Sequence, residues 1–330
     1  MVARGVVEPA WFAPGWYDDV CLVLDEVLAS RGLRRAGPVS RVKYWSMSTV
    51  VRVPTSGPDV YLKAVLPGLA REPHVIGYLS RRWPASVPEI LAAGDGWWLM
   101  ADFGGTSALA LPEDDRLGAL AALVEMQRAL AGDTRGLEAA GCPVLGAREL
   151  EKQIPLLLAR DDLWAADPVP GQWSRPLGPG GYAQLRALEP YLLDCCEYLE
   201  SGPLPATLSH GDFHPGNAVR RADGFLIHDW SFAAVSHPLL DLAAFLHDAG
   251  EPAAARYLAH TLDAWCDYAP RPGIERCWSA AKPLGAVAEI LKFAALADAA
   301  GPRHEASWLP MVHGWARRLL RAGEYTGWPV

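Results

Sequence analysis

His210-Gly211-Asp212-Phe213-His214-Pro215-Gly216-Asn217, followed shortly by Ile227-His228-Asp229-Trp230, is the stretch on which the reading of this chain turns. It sets a carboxylate, Asp212, five positions before an amide, Asn217, and ends with a second carboxylate, Asp229. Between them Arg221-Ala222-Asp223-Gly224 is a turn signal, and the apolar run Phe225-Leu226-Ile227 is a strand that delivers Asp229 at its end. Phosphoryl transfer needs a carboxylate to take the proton of an acceptor hydroxyl, and oxygen ligands for the Mg²⁺ that neutralises a triphosphate. Asp212, Asn217 and Asp229 can supply both.

The five-residue spacing matches the protein-kinase catalytic loop, in which Asp accepts the proton and Asn holds a metal. The combination of His-Gly-Asp, His-Pro-Gly-Asn and Asp-Trp resembles the aminoglycoside phosphotransferase and choline kinase family, whose fold is a relative of the protein kinases. The resemblance implies an α+β, bilobal fold, with a small N-terminal β-sheet lobe bearing helices and a larger, mostly helical C-terminal lobe. It implies Asp212 as catalytic base, Asn217 and Asp229 as Mg²⁺ ligands, and ATP as phosphoryl donor. His210 becomes a catalytic-loop residue that braces the loop, with a catalytic acid as its alternative role. Asp241 is similar to the family's downstream Asp that ties a helix to that loop.

Patterning divides the chain at Trp97-Trp98-Leu99-Met100-Ala101-Asp102-Phe103-Gly104-Gly105, where strand-like alternation gives way to helical spacing. Residues 1–105 read as a nucleotide-binding lobe and hinge, and 106–330 as a helical catalytic and acceptor-binding lobe. Upstream of the hinge the pattern predicts a helix at 16–30, strands at 47–53 and 60–66 joined by a turn-rich segment, a helix at 71–82, and strands at 89–93 and 97–101. Downstream it predicts a helix opened by Pro112, then helices at 147–159, 183–201, 239–248, 253–268, 280–300 and 304–322. A Pro- and Gly-rich loop is expected at 164–181.

Lys63 lies in Val60-Tyr61-Leu62-Lys63-Ala64-Val65, where a charge among apolar neighbours needs a partner. The resemblance pairs it with Glu72 and assigns it the α- and β-phosphates; Glu89 and a lysine snorkelling from an edge strand are the alternatives. No G-x-G-x-x-G or Walker A motif is present. Trp45-Ser46-Met47-Ser48-Thr49 occupies the place of the phosphate-covering loop, so Ser46, Ser48 and Thr49 are the candidate phosphate contacts, with an ordinary strand turn as alternative. By the family pattern Met100 backs the adenine pocket, backbone groups of Ala101 and Phe103 meet the adenine edge, and Gly104 and Gly105 give flexibility.

The 330 residues are 51% apolar and 21% charged, ordinary for a globular protein of two cored units. No signal-peptide pattern and no long uncharged apolar run is seen, which predicts a cytoplasmic protein that does not contact the membrane. The six cysteines have no C-x-x-C spacing, so neither a disulfide framework nor a zinc site is expected. Up to Gly105 there are eleven Lys and Arg against ten Asp and Glu; from Thr106 onward there are nineteen against twenty-eight, balances of +1 and −9. That disfavours nucleic acid and leans toward a small hydroxylated acceptor carrying an amine, although solubilising surface acid explains it equally well. A small-molecule kinase leads; a metallophosphoesterase and a non-catalytic nucleotide-binding regulatory module are the alternatives. The acceptor is not legible.

Overall fold

Alternation in Val60-Tyr61-Leu62-Lys63-Ala64-Val65 sends successive side chains to opposite faces of a sheet, and the rest of the N-terminal lobe follows from that sorting. The computed structural model describes residues 9–164, 177–247, 249–300 and 308–323. Five antiparallel strands, β1 (Ser40–Tyr44), β2 (Ser48–Val53), β3 (Val60–Val65), β4 (Ile90–Gly94) and β5 (Trp97–Ala101), lie in the order β1-β2-β3-β5-β4. On one face Val51, Val53, Val60, Leu62, Ala64 and Leu99 pack against Leu24 and Leu28 of helix α1 (Trp16–Ser30). Each such aliphatic contributes roughly 1.5–3 kcal/mol on burial, enough to hold one helix against one sheet. On the other face Val65, Trp98 and Met100 join the core of α2 (Glu72–Leu79) and the C-terminal lobe.

The sequence reading does not anticipate β1. Its residues Ser40, Arg41 and Val42 are exposed and show no alternation, as suits a charged edge strand that discourages pairing with other chains.

Beyond the sheet the chain crosses to the larger lobe through Asp102 to Gly105, then forms β6 (Thr106–Ser107) and helices α3 (Glu113–Ala129), α4 (Thr134–Ala139), α5 (Ala147–Leu158), α6 (Asp161–Trp164), α7 (Gly178–Ala187) and α8 (Glu189–Glu200). Short strands follow: β7 (Thr207–Ser209), β8 (Ala218–Arg221), β9 (Gly224–Ile227) and β10 (Ala234–Ser236). β6 pairs with β8 and β8 with β9, while β7 pairs with β10. Helices α9 (Leu240–Phe245), α10 (Glu251–Ala264), α11 (Arg271–Ala300) and α12 (Leu309–Gly323) complete the lobe. None of the described helices is long and apolar enough to cross a membrane.

Three expectations change. The helix expected over 183–201 is two helices that meet at Leu188, because Pro190 lacks an N–H and starts a new first turn. Conversely α11 begins at Arg271 and runs through Pro283 without a break. Gly105 serves close approach rather than flexibility: its φ is 90°, and a Cβ there would stand 2.6 Å from the Arg220 carbonyl of β8. Most of the loop expected at 164–181, and the start of the helix expected at 304–322, lie outside the described residues; α7 already begins at Gly178.

His237, just before α9, is buried with its Nδ1 accepting from the Leu239 N–H and its Nε2 without a hydrogen-bond partner among the described residues. Burial pushes its pKa down to about 3. Above pH 6.5 both folded and unfolded chains carry a neutral imidazole; as pH falls from 6.5 toward 3 the unfolded chain takes a proton that the folded one refuses, so stability is lost over that window. The expected outcome for His237→Asn, which keeps an acceptor for Leu239, is a shallower fall in urea-unfolding free energy between pH 6.5 and 5, by up to about 1.4 kcal/mol per pH unit. An unchanged slope would show that the imidazole is protonated in the folded state.

Candidate active site

The loop between β7 and β8 is built around Asp241, in the first turn of α9. Its buried carboxylate accepts from Ser209 Oγ, the N–H groups of His210 and Gly211 (each 2.9 Å) and Gln127 Nε2 (3.1 Å). A buried charge met by four donors fixes the loop's entry. His210 is fully buried with both ring nitrogens on backbone: Nδ1 accepts from the Asp212 N–H (3.3 Å) and Nε2 donates to the His228 carbonyl (3.0 Å). Burial pushes its pKa down despite Asp241 and Asp212. Both ring nitrogens of His210 are thus engaged by backbone groups of the loop and of the strand end at His228. Gly211 has φ 74°, and any Cβ there would lie 2.3 Å from the Phe232 carbonyl.

Asp212 emerges from this frame with its side chain 26% exposed. Asn217 Nδ2 donates to the Asp212 carbonyl (2.8 Å) and approaches Oδ2 (3.3 Å). The Asn217 carbonyl accepts from the His228 N–H (3.0 Å), so the loop is tied to the residue before Asp229. Asp229 has φ 66° and ψ 53°, the one non-glycine residue at positive φ among those described. Such strain costs of order 1–3 kcal/mol and persists where surrounding contacts over-determine the geometry.

Those contacts come from the other lobe. Lys63 Nζ lies 2.5 Å from both Asp229 Oδ1 and Glu72 Oε2, and 3.3 Å from Ser231 Oγ. Pleat parity explains why: Leu62 and Ala64 face α1, so Lys63 projects from the other face, where its ammonium also lies 5.1 Å from the Trp98 ring. Glu72, at the start of α2, is the carboxylate that meets it, and also accepts from Ser231 Oγ at 2.6 Å. Burial opposes the charge on Lys63, but Asp229 and Glu72 outweigh it and hold its pKa above the usual lysine value. Burial likewise opposes the charge on Asp229, yet Lys63 and Lys43 hold it well below the ordinary carboxylate range.

The segment Trp45 to Thr49 is divided by the same parity. The Trp45 N–H donates to the Ser48 carbonyl (2.9 Å), closing a tight turn with Ser46 and Ser48 buried beneath it. Thr49 pairs across the sheet with Ala64 on the α1 face, and its hydroxyl is held by the Lys43 carbonyl (3.0 Å) and Tyr17 (3.4 Å). Thr49 thus points away from the cleft. At the hinge Met100 is buried on the same sheet face as Trp98. The Ala101 N–H donates to the Glu89 carbonyl (3.0 Å). The Phe103 ring stacks on His228 at 5.3 Å.

Four contributors were not foreseen. Lys43 approaches Asp229 (3.8 Å) and lies 4.1 Å from the Trp45 ring; Ser231 bridges Glu72 and Lys63; Lys292 and Glu289 of α11 reach the Asp212 loop, with Lys292 Nζ 2.6 Å from Asp212 Oδ1. The pair on α11 left a signal, two charges at i,i+3 amid Val287, Ile290 and Phe293. Nothing in Lys43-Tyr44-Trp45 or Trp230-Ser231 marks the other two.

A family model described as the phosphotransferase enzyme family matches residues 35–284. No curated protein matches the chain in sequence. Among solved structures it is similar to a macrolide 2'-phosphotransferase type I, at 17% identity and a TM-score of 0.62, with 91% of this chain and 97% of that one covered. It is also similar to the GDP and kanamycin complex of APH(2")-IIia (16%, 0.62, 94% and 99%) and to a choline/ethanolamine kinase family protein from Mesorhizobium loti (16%, 0.60, 94% and 95%). With the family match spanning most of the chain and the kinase-like architecture recurring over nearly its whole length, the protein belongs to the phosphotransferase enzyme family.

Proposed function

We propose that the protein transfers the γ-phosphoryl group of Mg²⁺-ATP to a hydroxyl of a small molecule, with Asp212 as base. The observation that carries this reading is the convergence of Lys63 and Asp229, from opposite lobes, beside a loop that presents Asp212 and Asn217. The oxygens of Asn217 and Asp229 suit Mg²⁺, a hard cation usually held by one or two protein oxygens together with substrate phosphates. When bound, the metal would neutralise charge on the triphosphate. Asp212 takes the proton as the hydroxyl oxygen bonds to the γ-phosphorus, and the bond from that phosphorus to the bridging oxygen breaks with its electron pair leaving on ADP. Lys63 serves the α- and β-phosphates, backbone at Ser46 to Ser48 covers the triphosphate, and the Ala101 carbonyl and Phe103 N–H read the adenine. Among the described residues no cluster of three or more His, Cys, Asp or Glu side chains forms a metal site, so a two-metal phosphoesterase gains no support.

The −9 balance does not select a cationic acceptor. Asp114, Asp263 and Asp267 lie exposed at the surface, and their pairs with Arg256, Arg271 and Arg128 cancel without changing that net balance. Such charges are screened beyond about 8 Å at physiological salt, and the group against Asp212 is an ammonium. A neutral reacting end is therefore favoured. The test is ADP release with kanamycin, a macrolide, choline, ethanolamine and neutral polyols, run with ATP and with GTP. The expected acceptor has a KM insensitive to ionic strength; a KM that rises with salt would restore the cationic reading.

Asp212→Asn is expected to leave Mg²⁺-ATP affinity within a few-fold while turnover falls by about 10²–10⁴. Wild-type turnover would remove Asp212 as base. Lys63→Met strands Glu72 and Asp229, so the melting temperature is expected to drop, removal of one partner of a buried pair costing about 3–5 kcal/mol. Below that temperature ATP binding should weaken far more than adenosine binding. Equal losses, measured by calorimetry, would confine Lys63 to folding.

A further inference from the structure

Glu289 and Lys292 stand one turn apart on α11, among Val287, Ile290 and Phe293 of the core. The Lys292 side chain is 7% exposed, and an ammonium so buried is costly unless its N–H groups are met. Three acceptors meet its three donors: Asp212 Oδ1 at 2.6 Å, Glu289 Oε1 at 2.9 Å and the Gly211 carbonyl at 3.2 Å. The rings of Phe293 and Phe232 lie 4.9 and 5.5 Å from Nζ.

We propose that Lys292, anchored by Glu289, is a positioning residue that fixes which oxygen of Asp212 meets the acceptor hydroxyl. The inference rests on Asp212 being the base. A carboxylate turns easily about its last torsion, which is broad and shallow. With Oδ1 clamped by the ammonium, and Oδ2 meeting only the longer approach of the Asn217 amide at 3.3 Å, Oδ2 is the atom presented to the substrate.

Glu289 gives the arrangement its second half. When Asp212 takes the proton it becomes neutral, and an ammonium paired with it alone would be left buried without a counter-charge at that moment. Glu289 remains as partner. Burial pushes Glu289 up to about 7 against the pull of Lys292; burial also opposes the charge on Lys292, but Asp212 and Glu289 hold it above the usual lysine value. The ammonium thus persists through the cycle while the carboxylates around it share the compensating charge.

The experiment measures ADP release from Mg²⁺-ATP with water as acceptor, together with Mg²⁺-ATP affinity and melting temperature, for the full chain and for Asp212→Asn, Lys292→Met, Lys292→Arg and Glu289→Gln. Lys292→Met is expected to lower kcat by about 10–10²-fold with nucleotide affinity within threefold, since misplacement of a reacting group by about 1 Å costs about 10²-fold. Lys292→Arg, which keeps the charge, should recover part of that loss, and Glu289→Gln should fall between wild type and Lys292→Met. A Lys292→Met variant within twofold of wild type, while Asp212→Asn is inactive, would overturn the positioning role and leave the phosphotransferase reading intact. Loss of nucleotide binding and melting temperature in both Lys292 variants would overturn it in favour of a folding role. A wild type that releases no ADP with water or with any acceptor of the screen above, or an Asp212→Asn as active as wild type, would overturn both.

Discussion

The interaction on which the site depends is the buried ammonium of Lys63 held between Glu72 of the small lobe and Asp229 of the large one. Neither carboxylate would tolerate its own burial without that cation, and the cation would not remain charged there without them. The group assigned to grip phosphates is therefore also the pin between the lobes. Ser231 and Arg71 extend it: Ser231 Oγ donates to Glu72, and Arg71 Nη1 donates to the Ser231 carbonyl at 3.1 Å. A nucleotide entering this cleft meets a lysine that already has partners, so binding exchanges one set of charge contacts for another rather than creating them from solvent.

A second frame, centred on Asp241, carries no chemistry but decides where the chemistry occurs. Its carboxylate gathers donors from Gln127, Ser209, His210 and Gly211, so α3, β7 and the loop are tied to one buried charge. His210 continues the frame by linking the Asp212 N–H to the His228 carbonyl. The Asp212 loop and the strand end that carries Asp229 are thereby tied to each other through backbone groups. Trp45, whose ring meets Trp308 at 6.1 Å, makes a further bridge, from the turn before β2 to the larger lobe.

Sequence by itself carried the family of this protein and the outline of its fold. Asp212, Asn217 and Asp229 are legible because their types and spacing are local, and Lys63 because a charge in an apolar strand is a conflict with a short list of resolutions. The alternation that exposes Lys63 also fixes which face it occupies. That parity puts Thr49 against α1, a conclusion available only once the register pairs it with Ala64. Helix bounds failed where local signals compete, as at Pro190, which divides α7 from α8, and Pro283, which α11 absorbs. Tertiary structure alone decided the rest. Lys292 meets Asp212 across 80 positions, and Ser231 meets Glu72 across 159, because packing of α11 and α2 brings them within hydrogen-bond reach. No local propensity records such a meeting: its stabilisation arises from shared burial, and burial is a property of the folded whole.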